Sequence, residues 1–359
     1  MRKLWRWTWR IAVALVVAVV VYLLVPIAPT IPAMRPRPDT EYWSMSKGYR
    51  IAYTHVPARG EARRAPIVYL HGGPGGYVHS SIVRTLSPLA SEGHDLYFYD
   101  QVGSGLSDRL PRPSDYSLLG HVADLREILA RHLGGVPSVV IGHSYGAVLG
   151  AEVVARHPEL VERLVLSSPG VLQPTEFDEE GRWVNERKYP VPASLRFVEP
   201  SQVAMDGVRF WPPRVLAAMA VATVFDAKLM SDAEADGVLN TLAGRFTKGG
   251  VCNPANVQPE EGGGGLYAYG RGNWFGDHEH PGPLLRQRHV PAIVLQGACD
   301  YLPYAGAYEY VDILPEARYV FVENAGHILW WDQPERYYRE IAAFLREPLP
   351  ERPARIEPR

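Results

Sequence analysis

Ser144 stands between Gly142 and Gly146 in Val139-Val140-Ile141-Gly142-His143-Ser144-Tyr145-Gly146-Ala147, where a β-branched run gives way to a helix-like stretch. A strand-to-helix turn tight enough to expose a serine hydroxyl strains the serine backbone and leaves room only for glycine two residues to either side. That spacing points to a nucleophilic serine and to cleavage of an acyl bond. A serine hydroxyl is a weak nucleophile at neutral pH, so an imidazole must take its proton and a carboxylate must hold the imidazole in the right tautomer. Asp300 in Gly297-Ala298-Cys299-Asp300 and His327 in Asn324-Ala325-Gly326-His327 offer both, each after a strand-like segment. Asp312 and Asp332 are poorer candidates for the acid because they lie deeper in helical stretches. The chain order Ser144, Asp300, His327 suits three successive loops at the carboxyl edge of one sheet.

A tetrahedral intermediate also needs two backbone N–H groups aimed at its oxygen. Tyr145, the residue after the nucleophile, is one expected donor. The second is expected from His71-Gly72-Gly73-Pro74-Gly75-Gly76, where Gly73 is the choice because Pro74 has no N–H. His143 reads as a packing neighbour of the serine, and no motif surrounds His55, His94, His121, His132 or His157. No cofactor is expected: neither a Walker sequence nor a complete Gly-x-Gly-x-x-Gly follows any strand. His278 and His280 form a His-x-His pair without a third ligand, so no metal is expected either.

The elements that must position these residues alternate between strand and helix. Arg50 to Val56, Pro66 to His71, Asp95 to Asp100, Ser138 to Ile141 and Val161 to Ser167 read as strands by β-branched and aromatic content between Gly and Pro. Leu118, Val122, Leu125, Leu129 and Leu133 recur at helical spacing and predict an amphipathic helix over Tyr116 to Leu133; Ala147 to Arg156 is the helix behind the serine. The alternation stops near Pro169 and resumes near Pro291. Between them lies a segment rich in Trp, Tyr, Pro and Gly, with short helices expected over Val215 to Phe225 and Ala233 to Phe246, placed to act as a lid. Ala292 to Gln296 and Arg318 to Glu323 read as closing strands and Tyr337 to Leu345 as a final helix. The expected organisation is a membrane anchor and Pro-rich tether over 1–38, a first core part over 39–169, a lid insertion over 170–290, a second core part over 291–346 and a tail over 347–359.

With 359 residues, a net charge of -2 and 47% hydrophobic content, the chain has room for one large α/β unit plus an insertion. No basic stripe or zinc-finger spacing appears, which argues against nucleic acid as a partner. The N-terminus differs in kind: a lead with Arg2, Lys3, Trp5, Arg6, Trp7, Trp9 and Arg10 precedes the apolar run Ile11 to Val25. Leu4 to Ala28 is long enough to cross a hydrocarbon core of about 30 Å, and the excess of basic residues before the run favours a cytoplasmic N-terminus. The expectation is a single-pass anchor with the catalytic part outside the cytoplasm; the alternative is a cleaved secretory signal. Cys252 and Cys299 could form one bridge in an oxidising compartment or be two small buried residues.

Taken together, His71 to Gly76, Asp100-Gln101-Val102-Gly103-Ser104-Gly105-Leu106-Ser107, Gly142 to Gly146 and the Asp300 and His327 loops resemble the α/β-hydrolase family, and more narrowly its proline iminopeptidase branch. The resemblance covers roughly residues 50 to 170 and 290 to 345. It implies an α/β-hydrolase fold: a mostly parallel central sheet, helices on both faces and an inserted, mainly helical cap. It further implies Ser144 as nucleophile, His327 as base, Asp300 as orienting acid, Gly73 and Tyr145 as oxyanion donors, and release of an N-terminal proline or other small residue from a peptide. The branch's Trp-x-x-Trp-Glu segment, whose glutamate helps hold the substrate's free amine, is missing here. Trp274, Asp277 and Glu279 in Trp274-Phe275-Gly276-Asp277-His278-Glu279-His280 form the nearest acidic and aromatic cluster, so they are the candidate substrate-binding residues. An ester substrate handled by the same triad is the alternative, with a non-catalytic binding protein as a third reading.

Overall fold

A computed structural model of the chain describes residues 2–60, 63–172, 186, 188–198, 212–270 and 279–349. Eight strands form one sheet: β1 (Thr40–Ser44), β2 (Arg50–Val56), β3 (Ile67–Leu70), β4 (Leu96–Tyr99), β5 (Ser138–His143), β6 (Val161–Ser167), β7 (Ala292–Cys299) and β8 (Ala317–Gly326). Their spatial order is β1-β2-β4-β3-β5-β6-β7-β8, with β1 and β2 antiparallel additions to an otherwise parallel sheet. Parallel strands need crossovers, and helices packed on both faces leave the inner strands no solvent side. Hence β3, β5 and β7 are buried along their whole length.

The crossovers are α2 (Ser80–Leu86), α3 (Leu118–Glu127), α4 (Tyr145–Arg156) and, after the insertion, α9 (Tyr304–Ile313); α10 (Leu329–Asp332) and α11 (Pro334–Arg346) follow the last strand. Leu125, Val153 and Tyr310 pack one face of the sheet. Ile82, Tyr337 and Ile341 pack the other. Between β6 and β7 the insertion carries α5 (Pro213–Phe225), α6 (Asp232–Phe246), α7 (Leu266–Gly270) and α8 (Gly282–Leu285). α5, α6 and α7 share their own small core around Val215, Leu239 and Tyr267, while Leu285 of α8 packs into the main core.

Several elements depart from the sequence expectation for local reasons. The Ser117 hydroxyl accepts the Gly120 N–H at 3.0 Å, so α3 starts at Leu118 and leaves Tyr116 outside it. Beyond Glu127 the expected helix continues as a wider-wound turn over Ile128–His132. Pro213 opens α5 two residues before the expected start, a position where a missing N–H costs nothing. β1 and α2 were not expected at all.

α1 runs from Arg2 to Leu24 and stops before Pro26. Trp9, Ile11 and Val16 are exposed on it. Among the described residues, no helix is long and apolar enough to cross a membrane, so the fold does not establish the anchor expected over Leu4 to Ala28. The tether that follows lies along the insertion: Ile27 N–H donates to Glu234 Oε1 at 2.8 Å and Met34 N–H to the Gly262 carbonyl at 3.1 Å. Cys252 and Cys299 are joined by a disulfide with a Cα–Cα distance of 5.4 Å, the first of the two alternatives left open by the sequence.

Candidate active site

Parallel alignment brings the carboxyl ends of β5, β7 and β8 to one edge of the sheet. At that edge Cys299 pairs in register with Gly326, so the next residue of each strand, Asp300 and His327, emerge side by side. The His327 Nδ1–H donates to Asp300 Oδ1 at 2.9 Å, and the same oxygen accepts the Leu302 N–H at 2.9 Å. Both side chains are buried, with Asp300 Oδ2 unpartnered among the described residues. Tyr301 and His143 flank the imidazole with ring centroids 4.3 and 4.8 Å away. In a neutral ring held this way Nε2 carries the free lone pair that a general base requires.

Ser144 follows β5 with φ 54° and ψ -117°, a left-handed turn from strand into α4. The flanking glycines are sterically required. A Cβ on Gly142 would collide with the Gly146 carbonyl, and one on Gly146 with the Leu70 carbonyl of β3. Ser144 N–H donates to the Ser167 carbonyl at 2.9 Å, and its own carbonyl accepts the Ala147 and Gly170 N–H groups at 3.0 Å each. Ser144 and His327 line one cavity of about 310 Å³, but among the hydrogen bonds of the described residues none joins the hydroxyl to the imidazole. Such bonds are often long before substrate binds.

The two glycine-bearing motifs form a single clamp. The buried Asp100 carboxylate accepts the Val78 N–H at 2.8 Å and the Leu106 N–H at 2.9 Å. His71 Nε2 accepts the Gln101 N–H at 2.9 Å, while Gln101 Nε2 donates back to the His71 carbonyl at 2.9 Å. Burial lowers the His71 pKa to about 4, keeping the ring neutral and able to accept. The clamp presents Gly72 and Gly73 to the cavity. Gly73 has φ 127°, and Gly72 packs so tightly on Ser144 that a Cβ there would lie 3.0 Å from Ser144 Cβ. Tyr145 opens α4, which puts its N–H at the positive end of that helix. His143 packs as expected, its ring 4.8 Å from that of Trp330 and its pKa depressed by burial and then by the neighbouring His327.

The insertion supplies the opposite wall, through Leu239, Glu260, Gly264 and Tyr269. Its glycine run docks on both motif loops, with Gly265 N–H donating to the Gly75 carbonyl at 2.8 Å and Gly105 N–H to the Gly263 carbonyl at 2.6 Å. That contact seats Glu260 in the cavity, where Tyr77 donates to its Oε2 at 2.7 Å. Burial raises the Glu260 pKa, and among the described residues no cation pairs with it. Glu279 is exposed and is not among the residues lining the cavity, while Trp274 and Asp277 lie outside the described residues. Trp330 and Trp331 complete an aromatic wall, their indole N–H groups both donating to Ser81 Oγ at 3.0 and 2.8 Å.

Comparison with known proteins agrees with this geometry. A family model described as the alpha/beta hydrolase fold matches residues 65–198. The chain has the α/β-hydrolase fold. A proline iminopeptidase of Saccharolobus solfataricus is 34% identical over 121 residues, which is 34% of this hydrolase and only 38% of that protein. A proline iminopeptidase of Chitinophaga pinensis is 23% identical over 292 residues, 80% of this hydrolase and 92% of that protein. Among solved structures, an esterase from Rhodococcus sp. ECU1013 superposes with a TM-score of 0.56 at 18% identity, covering 86% of the hydrolase and 98% of that chain. Proline iminopeptidases are thus among the curated proteins this hydrolase resembles.

Proposed function

We propose that this hydrolase is an aminopeptidase of the proline iminopeptidase type, and the observation that carries the reading is Glu260. A half-buried carboxylate beside which no cation lies among the described residues, in the cavity that holds Ser144, suits the ammonium group of a free peptide N-terminus. Ser144 Oγ attacks the scissile carbonyl while His327 Nε2 takes its proton. Asp300 stabilises the imidazolium that forms. The N–H groups of Tyr145 and Gly73 receive the oxyanion; each such donor is worth about 3 kcal/mol of transition-state stabilisation. His327 then protonates the departing amine, and a water activated by the same imidazole resolves the acyl-enzyme. A purified chain should turn over a prolyl arylamide, and Ser144→Ala should abolish that turnover. Turnover of a short nitrophenyl ester with negligible arylamide cleavage would instead favour the second reading, a carboxylesterase, which the apolar wall of Tyr69, Trp330 and Trp331 also suits.

The same proposal places the enzyme outside the cytoplasm, tethered by its N-terminal helix. The Cys252–Cys299 bridge supports an oxidising compartment, and the uncharged run Ile11 to Val25 with exposed apolar side chains supports the tether. Alkaline carbonate washing of membranes from expressing cells is the test. Retention of the full chain alongside release of residues 36–359 is the expected pair of results.

A further inference from the structure

The loops of the acid and the base are both fastened to one short piece of the insertion, Gly250 to Asn256. On the base side, Ile328 N–H donates to the Gly250 carbonyl at 2.8 Å and Gly326 N–H to Asp332 Oδ2 at 2.9 Å, so His327 is held from both neighbours. Asp332 passes this hold to the insertion. Its Oδ2 also accepts the Cys252 N–H at 2.6 Å, and its Oδ1 accepts the Asn253 N–H at 3.2 Å and Asn256 Nδ2 at 2.8 Å. Among the described residues no cation pairs with Asp332, so all four contacts are to neutral N–H groups. On the acid side, Cys252 is bonded covalently to Cys299, the residue before Asp300. The fit is tight as well as bonded: a Cβ on Gly326 would lie 2.6 Å from both the Gly250 carbonyl oxygen and Val251 Cα.

We propose that Gly250–Asn256 is the positioning element of the triad, with Asp332 the positioning residue that sets His327 and the Cys252–Cys299 bridge the tie that sets Asp300. It follows that the insertion does more than wall the cavity: a shift of this segment moves base and acid together. A misplacement of about 1 Å at a catalytic group costs on the order of 100-fold in rate, so a hold of this kind is kinetically visible.

The inference rests on the reading of Ser144, His327 and Asp300 as the triad, and the test separates the two. Full-length wild type, Ser144→Ala, Asp332→Ala, Asp332→Asn and the Cys252→Ser/Cys299→Ser double variant are compared by fluorophosphonate labelling and by turnover of a short nitrophenyl ester. Rates are normalised to titrated active sites, so that misfolded protein does not count. Asp332→Ala is expected to lower labelling and kcat by about 10- to 100-fold with KM within about twofold. Asp332→Asn can still offer one oxygen to Gly326 and Cys252, and it should recover much of that loss. The acid limb of kcat/KM reports the same distinction. Asn removes only the charge, so any further displacement in the Ala variant measures lost orientation of His327. The double serine variant should show the same kcat-against-KM split, and brief reduction of wild type serves if that variant does not fold. Rates and acid limb unchanged in both Asp332 variants, with Ser144→Ala inactive, would overturn the inference and leave the triad standing. Turnover by Ser144→Ala would remove the triad reading itself.

Discussion

Glu260 and His71 show how single side chains set the conditions for this chemistry. A charge-assisted hydrogen bond to a substrate ammonium is worth about 1.5 to 3 kcal/mol, so Glu260→Gln should lower kcat/KM for a prolyl arylamide by about 10- to 100-fold. A neutral ester has no ammonium to lose, and its turnover should be unchanged. Equal losses on both substrates would mean that Glu260 shapes the wall and binds no amine. Because burial raises the Glu260 pKa, the arylamide KM should fall as pH rises through that pKa while the ester KM stays level. His71 works in the opposite sense. Its folded pKa of about 4 lies below the ordinary 6.5, so the folded chain binds fewer protons than the unfolded one between those values. Its contribution is full above pH 6.5 and is lost as pH falls toward 4, at up to about 1.4 kcal/mol per pH unit. His71→Asn keeps a side-chain acceptor for the Gln101 N–H, so the variant should unfold with a flatter dependence of Tm on pH across that window. His121, also lowered to about 4 by burial, retains its own share of the slope.

At the scale of elements, the same close approaches that make a strand-turn-helix unit work also made it readable. Gly142 and Gly146 are fixed by backbone collisions, which is why the motif could be recognised without coordinates. Gly146→Ala drives a methyl group into the Leu70 carbonyl, and neither backbone can yield; loss of fluorophosphonate labelling and a Tm drop of several degrees are expected. Gly150→Ala, one turn along α4, is the internal control. There the new methyl meets only the ends of Leu164 and Val140 side chains, at 3.1 and 3.2 Å, and labelling should survive. β6 was legible to the residue because Val161 to Ser167 is a largely buried stretch, with Val161, Leu164, Val165 and Leu166, between Pro158 and Pro169. β1 was not, since Thr40–Ser44 is a sheet-edge strand that buries only Trp43. The Ser144 and Asp300 loops were readable because each follows a strand buried along its whole length, and the His327 loop because it follows a β-branched and aromatic strand into a glycine turn. Glu260 was not readable, because its place depends on Gly263 and Gly265 docking against loops about 160 to 190 residues away in the chain. A glycine run beside paired acids was the only local sign, and it signals a turn just as well. Asp332 was readable as an unlikely triad acid, but its four N–H partners come from two loops that only the fold brings together.

Across the whole molecule, the N-terminal helix is joined to the catalytic part through the insertion rather than through the sheet. Arg214 of α5 and Glu234 of α6 form a buried pair, with Nε to Oε1 at 2.6 Å and Nη2 to Oε2 at 2.9 Å. Arg214 also donates to the Leu23 carbonyl at the end of α1, and Glu234 accepts the Ile27 N–H. One ion pair thus serves both the helix pair of the insertion and the exit of α1. Further along, Arg37 donates to the Val78 carbonyl and to Thr54 Oγ1 at 3.2 Å, so the tether ends on the clamp that carries Gly72 and Gly73. Removing one partner of a buried pair leaves the other charge uncompensated, at a cost of about 3 kcal/mol or more, whereas replacing both by apolar groups can be nearly neutral. Glu234→Leu alone should therefore lower the Tm of the full chain markedly, and Arg214→Met with Glu234→Leu should restore most of it. The double variant still lacks the acceptor for Ile27 and the donor for Leu23, so the tether should come loose while the insertion stays folded. Limited proteolysis distinguishes these outcomes: new cleavage between residues 24 and 36 in the double variant, with an intact core fragment, is the expected pattern. A tether as resistant as in wild type would mean that Met34 and Arg37 hold it without help from the ion pair.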